Sequence, residues 1–231
     1  MLFSWFTGTA RVRAVAHDTD AGQQQVNQLL TDEALFYVRK FPRVRLLSLW
    51  REQVSDKGLE NLRGMEHLEQ VFLLNAWGLT DDGIGHVGTL PNLKFLNVSN
   101  GQQLTDEAVR QLGQLRWLEM LVLAGGRFTD KALEHVKGLS SLKTLWIVPG
   151  VPDITDDGLR HLSGLAKLED LFLAKTKITN AGLVHLRGLK NLKELDVSET
   201  AVTKEGADEL MKSLPNLKVK GYPGWEPSKS E

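Results

Sequence analysis

Apolar residues along most of this chain follow one pattern many times over, and the period of that pattern changes within each copy. After Thr155, Leu159 and Leu162 lie about one helical turn apart, whereas Leu171 and Leu173 alternate with outward positions. The first spacing puts both side chains on one helix face, and the second is the signature of a strand with one buried face. Copies open at Thr31, Ser55, Thr80, Thr105, Thr129, Thr155, Thr179 and Thr203, spaced by 24 to 26 residues, and the last is incomplete, which leaves seven full units. A helix and one short strand cannot close a core alone, so units must stack and share one. The predicted fold class is α/β: a curved solenoid with a parallel sheet on its concave face and short helices on its convex face.

The invariant positions each have a physical role. The opening hydroxyl is a helix N-cap, and the acidic residue after it (Asp32, Asp56, Asp81, Asp106, Asp130, Asp156) favours the positive end of a helix. The fourth position is Ala or Gly in every unit, as at Gly58, Ala108 and Gly158. Glycine costs a helix about 1 kcal/mol, and close packing of neighbouring coils is the expected compensation. Gly64, Gly138, Gly164 and Gly188 are expected to supply the left-handed residue that ends the helix.

The strand half reads Leu168-Glu169-Asp170-Leu171-Phe172-Leu173-Ala174-Lys175-Thr176-Lys177-Ile178. It resembles the leucine-rich-repeat motif L-x-x-L-x-L-x-x-N-x-L, in which Cys is the alternative to Asn. The resemblance covers residues 31 to about 222, and the Thr-Asp-x-Gly-Leu openings look most like the helix-bearing 24-residue repeats of bacterial proteins and of F-box receptors. It implies a protein-binding module. No F-box-like segment is visible in residues 1–30. The position that carries Asn or Cys in the family is instead Glu52, Ala76, Gly101, Gly126, Gly150, Thr176 and Thr200. The side-chain ladder associated with that position is therefore expected to be absent, with small residues allowing a tighter turn.

Stacking in register would also order charge. The first exposed strand position reads Arg45, Glu69, Lys94, Glu119, Lys143, Glu169, Lys193, alternating in sign at every step. Overall the chain has 231 residues, 42% of them hydrophobic, with a net charge of −1. That balance argues against nucleic acid as a partner. Dispersed Lys and Arg, and no apolar run of the length a bilayer needs, argue against membrane insertion. The absence of cysteine excludes disulfides and thiolate chemistry and fits a reducing compartment such as the cytoplasm. The apolar start, Met1 to Phe6, lacks a preceding basic region and reads as part of the fold, not as a leader.

Nothing in the motifs points to catalysis or to a cofactor. His86, His135, His161 and His185 share one repeat position, but on a convex surface they would be too far apart to ligate one metal ion. Gly125-Gly126 follows a strand without the remainder of a phosphate loop and reads as a turn. Thr155-Asp156-Asp157-Gly158 lacks the bidentate Glu of a calcium loop.

The concave face is the informative surface. Its outward positions include Trp50, Phe72, Leu74, Phe95, Met120, Val122, Trp146, Val148 and Phe172, and only the last strand, with Glu194, Asp196 and Ser198, is fully polar. A contiguous band of this kind exceeds the apolar patch usual on a monomer, and aromatic-rich, charge-poor centres are the composition of binding hot spots. These nine residues are the candidate contacts for a protein partner. Alternatives are a structural subunit that homo-oligomerises through the same face, or a glycan- or lipid-binding concavity.

The domain reading is a capping segment over 1–30, seven repeats over 31–202, a partial C-terminal repeat over 203–222 and a flexible tail over 223–231. Val12, Val15, Val26, Leu29 and Leu30 would seal the first coil. Alternatively, Phe3, Trp5 and Phe6, or Tyr222 and Trp225, would fold back over the concave face.

Overall fold

The computed structural model describes residues 13–16, 32–41, 43–50, 54–148 and 153–225, without the side chains of 13–16, Ala34 and Trp50. Thr31, Glu52 and Gly150, the capping residues Val12, Val26, Leu29 and Leu30, the aromatics Phe3, Trp5 and Phe6, and residues 226–231 of the tail lie outside the described residues.

Helical segments and strands alternate along the chain: β1 (Arg13–Ala16), α1 (Asp32–Val38), β2 (Val44–Trp50), α2 (Asp56–Leu59), β3 (Gln70–Leu74), α3 (Asp81–Val87), β4 (Phe95–Ser99), α4 (Asp106–Leu112) and β5 (Met120–Ala124). There follow α5 (Asp130–Val136), β6 (Thr144–Val148), α6 (Asp156–Leu159), β7 (Asp170–Phe172), β8 (Glu194–Asp196), α7 (Lys204–Ser213) and β9 (Lys218–Lys220). Helices α2 and α6 tighten into 3-10 turns at Glu60–Leu62 and Arg160–Leu162, and the segment before β8 is a 3-10 helix, Gly182–Leu186. The strands form one sheet in sequence order. β2 to β9 are parallel, and β1 joins the first edge antiparallel, with Arg13 opposite Ser48.

One continuous core runs from Leu35 to Val219. In the sixth unit Leu159, Leu162, Leu165, Leu168, Leu171, Leu173 and Ile178 are at most 1% exposed. Each such burial contributes about 1.5–3 kcal/mol, which is why the leucine positions recur so strictly. The strands alternate half-buried and buried residues as expected, except β5, where three consecutive residues are buried.

The repeat openings do more than cap. Threonines 80, 105, 129, 155 and 179 accept a hydrogen bond from the backbone N–H two residues on, whereas Ser55 makes no such bond. Each acidic residue bonds forward to the next coil. Asp32, Asp56, Asp81, Asp106, Asp130 and Asp156 accept both the N–H and the hydroxyl of the following Ser or Thr, at 2.7–3.0 Å and 2.5–2.7 Å. Asn180 continues the series: its Oδ1 accepts from the Thr203 N–H at 2.9 Å and its Nδ2 donates to the Thr203 hydroxyl at 3.0 Å. A side-chain ladder is therefore present, at the helix start instead of the Asn/Cys position. It also explains the fourth position: a methyl group on Gly83 would collide with the Asp56 carboxylate, and one on Gly182 with that of Asp156.

The left-handed residues are not where the helix endings were expected. Gly64 has φ +79°, but Gly138, Gly164 and Gly188 are not in that region. Lys137, Ser163 and Arg187 leave their helical segments in the right-handed conformation. Tight bonds such as Leu139 N–H to Val136 O, at 2.9 Å, then turn the chain without a left-handed residue. The left-handed positions follow the strands instead, at Asn75, Asn100, Gly125, Lys175 and Glu199. After them, the space beside Gly101 is filled by Leu104 and that beside Gly126 by Phe128, while the Thr176 and Thr200 hydroxyls donate to Leu173 O and Val197 O.

Candidate protein-binding face

The parallel register sets the outward residues in rows that run across the strands. One row is Ser48, Phe72, Asn97, Val122, Trp146, Phe172, Asp196 and Lys220. Beside it run Leu46, Gln70, Phe95, Met120, Thr144, Asp170, Glu194 and Lys218. Leu74 pairs in register with Trp50 and Ser99, and Val148 with Ala124. Phe72, Leu74, Phe95, Met120, Trp146, Val148 and Phe172 are all half-buried and share this one face.

Two members stand apart. The side chain of Trp50 lies outside the described residues. Val122 is only 5% exposed, yet it does not belong to the main core, since it sits on the sheet face between Asn97 and Trp146. The Trp146 and Phe172 rings are 4.1 Å apart at their centroids and tilted by 51°. Trp146 buries its indole N–H without a hydrogen-bond partner, so what the ring presents outward is its hydrocarbon surface.

The alternating charges border these rows. Arg45 and Lys94 both pair with Glu69, at 2.8 and 3.3 Å, Lys143 pairs with Glu119 at 2.7 Å, and Lys193 pairs with Glu169. The hydrogen bond from Arg45, joined by Lys94, holds the Glu69 carboxyl below its ordinary value of 4.5 against the opposing effect of partial burial. Lys193 acts likewise on Glu169. Exposed pairs of this kind are worth little, so their effect on stability is small but signed. The lowered pKa of Glu69 means that its contribution is present above about pH 4.5 and is lost as pH falls through the folded-state value. Acid unfolding of Glu69→Gln and the parent should therefore differ near neutrality and converge in acid; a gap that persists at low pH would rule out this ion pair as its source.

Among the described residues no ionisable side chain is buried, and the one buried polar side chain, Thr176, bonds its hydroxyl to Leu173 O. No group of three or more potential metal ligands occurs among them. His86 accepts a hydrogen bond from Arg63 Nε at 3.0 Å, and His185 is exposed.

The most exposed aromatics lie elsewhere, at Trp117 (65%) and Trp77 (49%), with Phe36, Tyr37 and Phe41 in and just after α1. Trp117 borders an open groove of about 700 Å³ with Gly88, Glu107, Arg110 and Gln111. The sequence carried a signal for it: the same turn position holds His67, Asn92, Ser141, Lys167, Asn191 and Asn216 in the other units, so a Trp stands in an otherwise polar series.

A family model described as Leucine Rich repeat matches residues 188–211. Among solved structures, internalin C2 of Listeria monocytogenes superposes with a TM-score of 0.58 at 21% identity, covering 85% of this chain and 76% of its own. A second internalin (inlF) of the same organism gives 0.52 at 19% identity, covering 80% of this chain and 62% of its own. The chain has a leucine-rich-repeat fold. No curated protein sequence matches it. The leucine-rich-repeat fold generally mediates protein–protein interaction. No helix among the described residues of this leucine-rich-repeat chain is long and apolar enough to cross a membrane.

Proposed function

We propose that this chain is a non-catalytic module that holds a protein partner against its concave face. The observation that carries the reading is the contiguous band of half-buried apolar side chains crossing β3 to β7. Phe72, Leu74, Phe95, Met120, Trp146, Val148 and Phe172 are the contacts. Val122 is part of the floor beside Trp146, and Trp50 is a further candidate whose backbone is in register with Leu74. Half-buried aromatics suit this role because they are pre-ordered by their neighbours, so little side-chain entropy is lost on binding, while their remaining surface is still free to be covered.

The test is affinity capture with the intact protein and with Phe72→Asp/Trp146→Asp, compared by quantitative mass spectrometry. Both side chains lie outside the core cluster, so circular dichroism of the double variant should match the parent. A partner retained by the parent should be lost by about 100-fold or more, the scale of two hot-spot residues. Equal capture by a folded double variant overturns the assignment of this face. Light scattering that shows a stable dimer, lost in the variant, would make the occupant a second copy of the chain.

A further inference from the structure

We propose that the partner segment carries a basic side chain, Arg or Lys, seated at the C-terminal end of the apolar band, over the Trp146 and Phe172 rings and beside Asp170 and Asp196. This rests on the reading of the concave face as the binding surface and specifies the chemistry that the face selects.

The argument begins with how the face treats its acids. In the bordering row, Glu69, Glu119 and Glu169 each have a cationic partner. Glu194, at the polar end, is paired with Lys220 at 2.7 Å. Asp170 and Asp196 differ: Asp170 accepts the Thr144 hydroxyl at 3.1 Å, and Asp196 accepts the Ser198 N–H and hydroxyl at 2.8 and 2.6 Å. Neither is paired with a cation among the described residues. Both adjoin the aromatic pair, since Phe172 stands between Trp146 and Asp196 in one row and Asp170 lies next to Thr144 in the neighbouring row.

Successive strands are about 4.8 Å apart, so two carboxylates without an ion pair and two adjacent, tilted aromatic rings fall within the reach of one long side chain. That combination suits one ligand class. A cation gains from the ring faces and from the carboxylates together, and its aliphatic stem covers the hydrocarbon edge that Trp146 presents. An anionic segment would be repelled by both carboxylates, and a purely apolar one would desolvate them with only the Thr144 and Ser198 hydrogen bonds as compensation, which specificity by unfavourable contact exploits. The rest of the segment is apolar, to match Phe72, Phe95 and Met120. A helix laid from β3 to β8 would span about 24 Å, or about 16 residues.

The probe is a displayed library of random peptides of about 16 residues, selected on the intact protein, on Asp170→Asn/Asp196→Asn and on Asp170→Lys/Asp196→Lys. The proposal expects the parent to enrich apolar residues together with Arg or Lys at a fixed offset. The Asn variant should keep the apolar preference and lose the basic one, with the best parental peptide bound about tenfold or more weaker, and the Lys variant should select Asp or Glu at that offset. Apolar enrichment with no basic preference, or a basic preference unchanged in the Asn variant, overturns this inference and leaves the face assignment standing. Peptides that bind Phe72→Asp/Trp146→Asp as well as the parent overturn the face assignment itself. Failure to enrich any sequence, or a concave face occupied by a second copy, also overturns the inference.

Discussion

Replacing Phe128 by Ala should lower the stability of the protein by about 3–5 kcal/mol, the usual cost of deleting a large buried ring. Phe128 is fully buried, and it occupies the position that Leu79, Leu104, Ile154, Ile178 and Val202 hold in other coils. The larger ring fits because Gly126 has no side chain: a methyl group there would collide with the Phe128 ring and stand 2.9 Å from the Leu104 carbonyl oxygen. Removing the ring leaves a cavity in the middle of the stack, where the coils on either side are held apart by their own packing and cannot collapse into it. Urea unfolding followed by circular dichroism measures the loss. A double-mutant cycle supplies the sharper check, because Gly126→Ala should cost less in a Phe128→Leu background than in the parent, its collision with the ring having been relieved. The remaining cost reflects the Leu104 carbonyl, which is backbone and cannot move aside. Equal costs in the two backgrounds, or a loss below about 1 kcal/mol for Phe128→Ala, would show that the ring is not packed as described.

The second large effect belongs to the ladder at the repeat openings. Asp81→Ala removes the acceptor for both the N–H and the hydroxyl of Thr105, a residue already partly buried between coils. A donor left unsatisfied in that position costs about 1–3 kcal/mol, whereas loss of a solvent-exposed carboxylate that merely favours a helix dipole costs about 0.3–1 kcal/mol. The chain contains its own control. Asn180 bonds the N–H and hydroxyl of Thr203 with its two amide atoms, the hydroxyl acting as acceptor instead of donor. Asp81→Asn should therefore retain most of the stability that Asp81→Ala loses. Indistinguishable unfolding midpoints for the two variants would show that the aspartate acts through charge alone and not through the bonds to the next coil.

That ladder also shows where reading residues in order stops. The alternation of charges from Arg45 to Lys193 was legible, because parallel strands in register place equivalent positions side by side, and the four ion pairs formed by the bordering row follow from it. The aspartates were equally visible in the sequence, but a local explanation was at hand. An acidic residue after a capping hydroxyl is reason enough for itself, and nothing in one unit reveals that its carboxylate spends both oxygens on the next coil. The glycines after the helices misled in the same way. A Gly at a helix end suggests a left-handed turn, yet Gly138, Gly164 and Gly188 follow residues that are already turning through right-handed backbone. For the candidate face, membership was legible and exposure was not. Val122 alternates correctly, yet between Asn97 and Trp146 of the neighbouring strands it is only 5% exposed.

The sequence by itself determined the period, the fold, the order of the parallel strands and which strand positions alternate with the buried ones. All of these follow from apolar burial repeated within a single coil, a pattern contained in about 24 consecutive residues. Only the tertiary structure decided which hydrogen bonds join the coils, why glycine recurs opposite the aspartates, how far Val122 is covered, and which acids of the concave face are left without an ion pair. Those contacts form between residues one coil apart in sequence and a few ångströms apart in space, so their geometry is set by how closely two coils approach, a distance that no single repeat specifies.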